Sequence, residues 1–230
     1  MRDSPRNIII VLALWLAASA LMVTQVQAQI TLERKGEYAQ IDTRFSGQAL
    51  KDLNSRDAAV RRRTIEQVQA TPERYAPPVL YQLSQVLMAE GKPERAMFWF
   101  YAGQLRARFD ANRCADETAG SAIGVMNQNI GPPINQYAFK NLVLLEKTIA
   151  DVLAWDRRTP HDYDHRWINL HGMAAMIASM DPAQAQQELS LPESEWEAIA
   201  EQTRQDYKAG FQEALEMARK REVDDAASGR

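Results

Sequence analysis

The sequence predicts an all-α fold, a single domain of about seven stacked antiparallel helices, behind an N-terminal export signal. Three observations carry this. From residue 54 onward the apolar residues recur at helical spacing almost without interruption. Glycine and proline punctuate the pattern at short intervals, so neighbouring helices joined by tight turns must pack antiparallel. Alternation of apolar and polar residues, the mark of a half-buried strand, is confined to the short stretch around Ile30 and Leu32.

The chain has 230 residues, 46% hydrophobic and 25% charged. That composition suits a packed globular core and excludes collagen-like and low-complexity chains. A single cysteine, Cys114, closes no intramolecular bridge, so stability must come from packing.

Arg2 and Arg6 precede an unbroken apolar run over residues 8–18, and Val26 and Ala28 stand at the −3 and −1 positions of a cleavage site. This layout predicts a signal peptide over residues 1–28 and a periplasmic protein. The run is shorter than the roughly 20 residues of a membrane span, so membrane contact is expected only if the segment stays uncleaved as an anchor. Without Arg2, Arg6 and Asp3 the balance is 25 basic against 29 acidic residues. That balance gives nucleic acid no footing as a partner.

Residues 29–53, interrupted by Gly36 and Gly47, read as an extended arm. The helical domain spans 54–221. Ser55 is placed to cap a helix over 55–69 with Val60, Thr64 and Val68 on one face. Pro77 and Pro78 open the next helix, whose stripe is Leu80, Leu83 and Leu87 and whose end is Gly91. Pro93 opens a third helix to about residue 110. Ala96, Phe100, Gly103 and Ala107 form one apolar stripe there, and Phe98, Ala102, Leu105 and Phe109 a second, about 200° away. A helix apolar on both sides must be covered on both sides.

A helix over 115–129 follows, rich in small residues, until Gly131, Pro132 and Pro133 are expected to break the chain. A long helix over 134–155 then buries Ile134, Ala138, Leu142, Leu145, Ile149 and Leu153. Residues 156–166 form a polar stretch, with Thr159 and Pro160 signalling a helix start. Trp167, Leu170, Ala174 and Ile177 mark a helix stopped by Asp181 and Pro182. The last helix covers 192–221, and the polar end 222–230 is expected to fray.

In the pair of helices around the turn at Gly91, the residues Leu80, Leu83, Ser84, Leu87, Gly91, Ala96, Phe100 and Gly103 follow a familiar order. Large apolar residues with a small one beside them precede a tight turn, then come alanine, an aromatic and a second small residue. This hairpin, residues 78–110, resembles one tetratricopeptide or Sel1-like repeat, with Leu80 where a tryptophan is usual and Arg108 where a proline closes the motif. The resemblance implies protein binding rather than catalysis.

Among candidates for partner contact, Trp99 and Tyr101 lie in a run of four aromatic residues, and aromatic anchors are what interfaces use. Arg61 and Arg62 belong to a basic patch on the first helix, and Arg106 to a second patch, both suited to acidic surfaces. The leading expectation is therefore an exported helical module that binds another protein, of the immunity type that neutralises a toxin in the periplasm, with no cofactor.

The alternative is a divalent-metal-binding protein or hydrolase centred on His161, His165 and His171. Imidazoles beside Asp162 and Asp164 have the donor chemistry for such an ion. One helix cannot aim all three imidazoles at a point, and no His-Glu-x-x-His motif strengthens the case. Nucleophile elbows, phosphate loops and dinucleotide fingerprints are absent from the sequence.

Overall fold

The computed structural model describes residues 34–181, 183 and 188–228. The signal peptide expected over 1–28 lies outside them. Eight α-helices are formed among the described residues: α1 (Arg44–Leu53), α2 (Ala58–Ala70), α3 (Pro77–Ala89), α4 (Pro93–Asn112), α5 (Ser121–Ala138), α6 (Leu142–Arg158), α7 (Met173–Met180) and α8 (Trp196–Ala227). Short 3₁₀ turns link several of them, and the one β-type contact among the described residues pairs Cys114 with Ser190. The fold is all-α.

The hairpin α3–α4 is built by local chemistry. Pro77 and Pro93 sit in the first turns of their helices, where a missing N–H loses nothing. Gly91 takes φ +72°, the left-handed conformation that favours glycine. The Gly91 N–H donates to the Met88 carbonyl at 3.1 Å and the Lys92 N–H to that of Leu87 at 2.9 Å, a Schellman closure. The two helices then approach closely at Gly103, where a Cβ would stand 3.2 Å from both Leu80 Cβ and a Tyr81 ring carbon.

Helix α4 is central, covered by α3, α5, α6 and α8. Phe100, Gly103, Ala107, Ala102 and Leu105 are all buried, so both predicted stripes are covered. Around this helix lies the main core, which includes Leu80, Leu83, Leu145, Ile149 and Tyr207. A smaller second core joins Tyr38 and Ile41 near the start of the described chain to Ala178 of α7 and Leu189.

Four local expectations are corrected. The arm expected over 29–53 is largely helical where described: residues 36–40 form a 3₁₀ turn, and α1 buries Ala49 and Leu53 and packs on α2 and α3. Burial there outweighs the roughly 1 kcal/mol that Gly47 costs in a helix interior. Asp57, not Ser55, caps α2, its carboxylate accepting from the Ala59 N–H at 2.7 Å. Gly131, Pro132 and Pro133 do not break α5. Gly131 packs beneath the Phe100 ring, and Ile134 and Ala138 continue the buried face. The break comes at Asn141, whose side chain accepts from the Leu144 N–H at 3.0 Å and starts α6. Finally, α8 continues through residues expected to fray, ending at Ala227.

Candidate functional site

Two parts of the molecule gather chemistry-bearing residues. The first is a buried ionic network between α4, α6, α8 and the segment 159–171. Asp156 of α6 receives Arg106 Nε at 3.3 Å and His161 Nε2 at 3.1 Å on one oxygen, and Arg204 Nε at 2.9 Å on the other. Burial pushes the Asp156 carboxyl up, but the His161 bond and the charges of His161, Arg106 and Arg204 outweigh it and leave it below its ordinary value. Asp110 of α4 receives Arg113 at 2.7 Å, Trp167 Nε1 at 2.7 Å and the Tyr163 hydroxyl at 3.0 Å. Its carboxyl is raised, because complete burial exceeds the help from Arg113 and Trp167.

These bonds explain why Thr159 and Pro160 do not start a helix. The Thr159 carbonyl accepts from Arg106 at 2.9 Å, and the Asp162 N–H donates to the Glu73 carbonyl at 2.8 Å. Tertiary partners hold the segment in an irregular path, and Asp164 caps the next turn by accepting from the Arg166 N–H.

Three predicted partner-binding residues are thereby corrected. Arg106 is fully buried, with its guanidinium 4.2 Å over the Trp155 ring. Trp99 packs edge-on against Phe98 and Trp155. Tyr101 is buried, and its hydroxyl donates to Asn135 at 3.0 Å. All three lie on the central helix, whose two-sided covering leaves them no surface. Of the other basic candidates, Arg62 is exposed, and Arg61 donates to the Ser55 carbonyl at 2.7 Å.

The metal alternative is not assembled. Each histidine has its own neighbours: His161 has Asp156, His165 has Ser190, and His171 lies edge-on to Trp167. Asp162 is exposed, and Asp164 is held by Arg166. Among the described residues no three His, Cys, Asp or Glu side chains are placed to hold one ion.

The second part is the end of the molecule built by residues 36–41, α7 and 188–196. His165 Nε2 lies 2.7 Å from Ser190 Oγ, with the Trp196 ring edge-on to the imidazole. A serine beside an imidazole is a nucleophile-and-base geometry. Burial, helped by the charge of Arg113, lowers the imidazole to about 4, so the imidazolium that proton transfer must form is disfavoured. Among the described residues no carboxylate bonds to Nδ1 of that ring, and the pair acts as a structural bond. Burial likewise pushes the Cys114 thiol up to about 11, far from a thiolate.

At this end α7 buries Ala178 against the second core and exposes its other face. Met173, Met176, Ile177 and Met180 are 51%, 37%, 41% and 70% exposed. Their spacing places them along one side of the helix. The α7 amides are satisfied from outside: Met173 N–H donates to Thr118 Oγ1 at 2.8 Å and Ala174 N–H to Asp116 at 2.9 Å. The helix expected from Trp167 is instead a 3₁₀ turn over His165–His171 followed by α7, and Ile177, grouped by spacing with Trp167, Leu170 and Ala174, stands in the outward stripe. The places of Asp110, Tyr163 and Arg204 in the network are not legible in the sequence. Asp110 alone carries a local signal, a charge on a helix that is apolar on both sides, which calls for a buried partner.

Comparison with protein-family models, with curated proteins and with solved structures found no match to this chain.

Proposed function

We propose that the protein is a binding module for another protein, exported to the periplasm and of the immunity type that neutralises a toxin there. The observation that carries the reading is the outward face of α7. Four large apolar side chains, three of them flexible methionines, stand in water on a helix that is otherwise anchored by the second core and by bonds to Asp116 and Thr118. Met-rich exposed surfaces adapt to partner shapes, and contiguous exposed apolar patches mark interaction sites. The ionic network supports the same reading, since it fixes the scaffold from within and leaves recognition to the surface. The export signal of residues 1–28 and the tetratricopeptide-like hairpin α3–α4 belong to this proposal, and the close approach at Gly103 supports the hairpin resemblance.

The test is a photo-crosslinking side chain at position 176 in the complete chain, expressed in cells. A single adduct in the periplasmic fraction is expected, absent when the same group replaces exposed Lys208 on α8. Adducts of many sizes, or none, would refute the reading.

A further inference from the structure

Beside α7, at the same end of the molecule, a cleft of about 520 Å³ opens between Glu37, residues 164–166, residues 188–190 and Trp196. Its volume lies within the range of ligand sites and exceeds one long side chain. We propose that this cleft takes an arginine or lysine side chain of the protein partner; the inference rests on the protein-binding reading and names the chemistry it recognises.

Charge argues first. Three carboxylates line the cleft, Glu37, Asp164 and Glu188, against the one guanidinium of Arg166. Arg166 is spent on Asp164, with bonds of 2.9 and 2.8 Å that neutralise both. Glu37, which also feels the Arg166 charge and accepts from Gln40 at 3.1 Å, and Glu188 form no direct ion pair among the described residues, so the wall keeps a net negative charge. The segment 188–203, which supplies Glu188, Leu189, Ser190 and Trp196 to the wall, contains no Lys, Arg or His.

The remaining wall favours a cation as well. His165 is neutral at physiological pH and adds no opposing charge, with Ser190 bonded to it. Trp196 supplies an aromatic surface, and such surfaces attract guanidinium groups. Arg113 already lies 4.6 Å over this ring, showing the geometry the indole accepts, and its own charge is balanced by Asp110 at 2.7 Å. An anionic ligand would meet three carboxylates and one guanidinium already held by Asp164.

The test uses the chain from Gln29, which contains the whole compact unit Glu33–Arg230. It is titrated with acetyl-Gly-Arg-Gly-amide at low salt and followed by the indole N–H resonance of Trp196. A saturable shift is expected there, with none from the citrulline peptide, which keeps the shape and lacks the charge. The double variant Glu37→Gln, Glu188→Gln should weaken binding about fivefold, as expected for removing two partly exposed charges. Glu213→Gln on α8 should leave binding unchanged. Equal shifts from the citrulline peptide, undiminished binding by the double variant, or shifts that avoid Trp196 would overturn the inference. If the arginine peptide fails while the crosslink at position 176 forms, the cleft proposal falls and the protein-binding reading stands. If the crosslink fails while the peptide binds, the protein-binding reading carried by α7 falls, and what stands is only that the cleft takes a cationic side chain.

Discussion

Arg204 of α8 meets Asp156 of α6 at 2.9 Å, on the carboxylate that also receives Arg106 of α4 and His161 of the following segment. One buried carboxylate therefore joins three helices and the irregular segment that leads toward α7. Because Arg106 is fully buried, its charge depends on Asp156 for compensation.

Removing that carboxylate leaves buried positive charge uncompensated. Asp156→Ala should destabilise the protein by about 3–5 kcal/mol, the usual cost of breaking a buried pair from one side. Asp151→Ala, which removes the exposed pair with Lys147, should cost about 0.5 kcal/mol or less. Urea unfolding of both variants measures the contrast, and equal losses would mean that Asp156 is not the hub.

The central position of α4 makes two packing predictions. Gly103→Val should cost about 1–3 kcal/mol by overpacking against Leu80 and Tyr81. Phe100→Ala should cost about 3–5 kcal/mol, because the ring is buried between α4, Tyr81 and Gly131. An unchanged melting temperature in either variant would contradict the two-sided covering of this helix.

His165 makes stability depend on pH. Its folded-state value, about 4, lies below the ordinary 6.5, so the unfolded chain binds the proton first as pH falls. The stabilising contribution is complete above pH 6.5 and is lost as pH falls toward about 4. His171, lowered by burial and by Arg34, acts in the same direction. In His165→Gln the slope of unfolding free energy against pH across this window should flatten, with His171 and the shifted carboxyls, among them Asp156 and Asp110, setting what remains. An unaltered slope would mean that His165 takes up its proton equally in the folded and unfolded chain.

The parts legible in the sequence are those fixed by local chemistry. Pro77, Gly91 and Pro93 each impose a backbone conformation within a few residues, so the α3–α4 hairpin and its boundaries could be read directly. The two stripes of α4 were legible because both faces are apolar. Helix α1 was not, since its stripe is little more than Ala49, Leu50 and Leu53 and its helicity depends on packing against α2 and α3. The segment after Thr159 was misread because bonds from Arg106, Glu73 and Asp110, all distant in sequence, overrule its local start signal. Arg106 was read as surface for the same reason: its partner Asp156 stands 50 residues away. The outward face of α7 is hidden in the sequence because seven of its eight residues are apolar and look like core, whereas only Ala178 is fully covered.

The exposed face of α7 is proposed to bind a protein partner. The measurement is quantitative affinity capture from the periplasm of cells expressing either the unaltered chain or the variant Ile177→Lys, Met180→Lys, both sites being exposed. Unfolding midpoints are compared to establish that the variant remains folded. The account predicts one near-stoichiometric partner on the unaltered protein, lost by the variant at equal stability. The same partner at the same yield on both proteins, or no partner on the unaltered one, would contradict it.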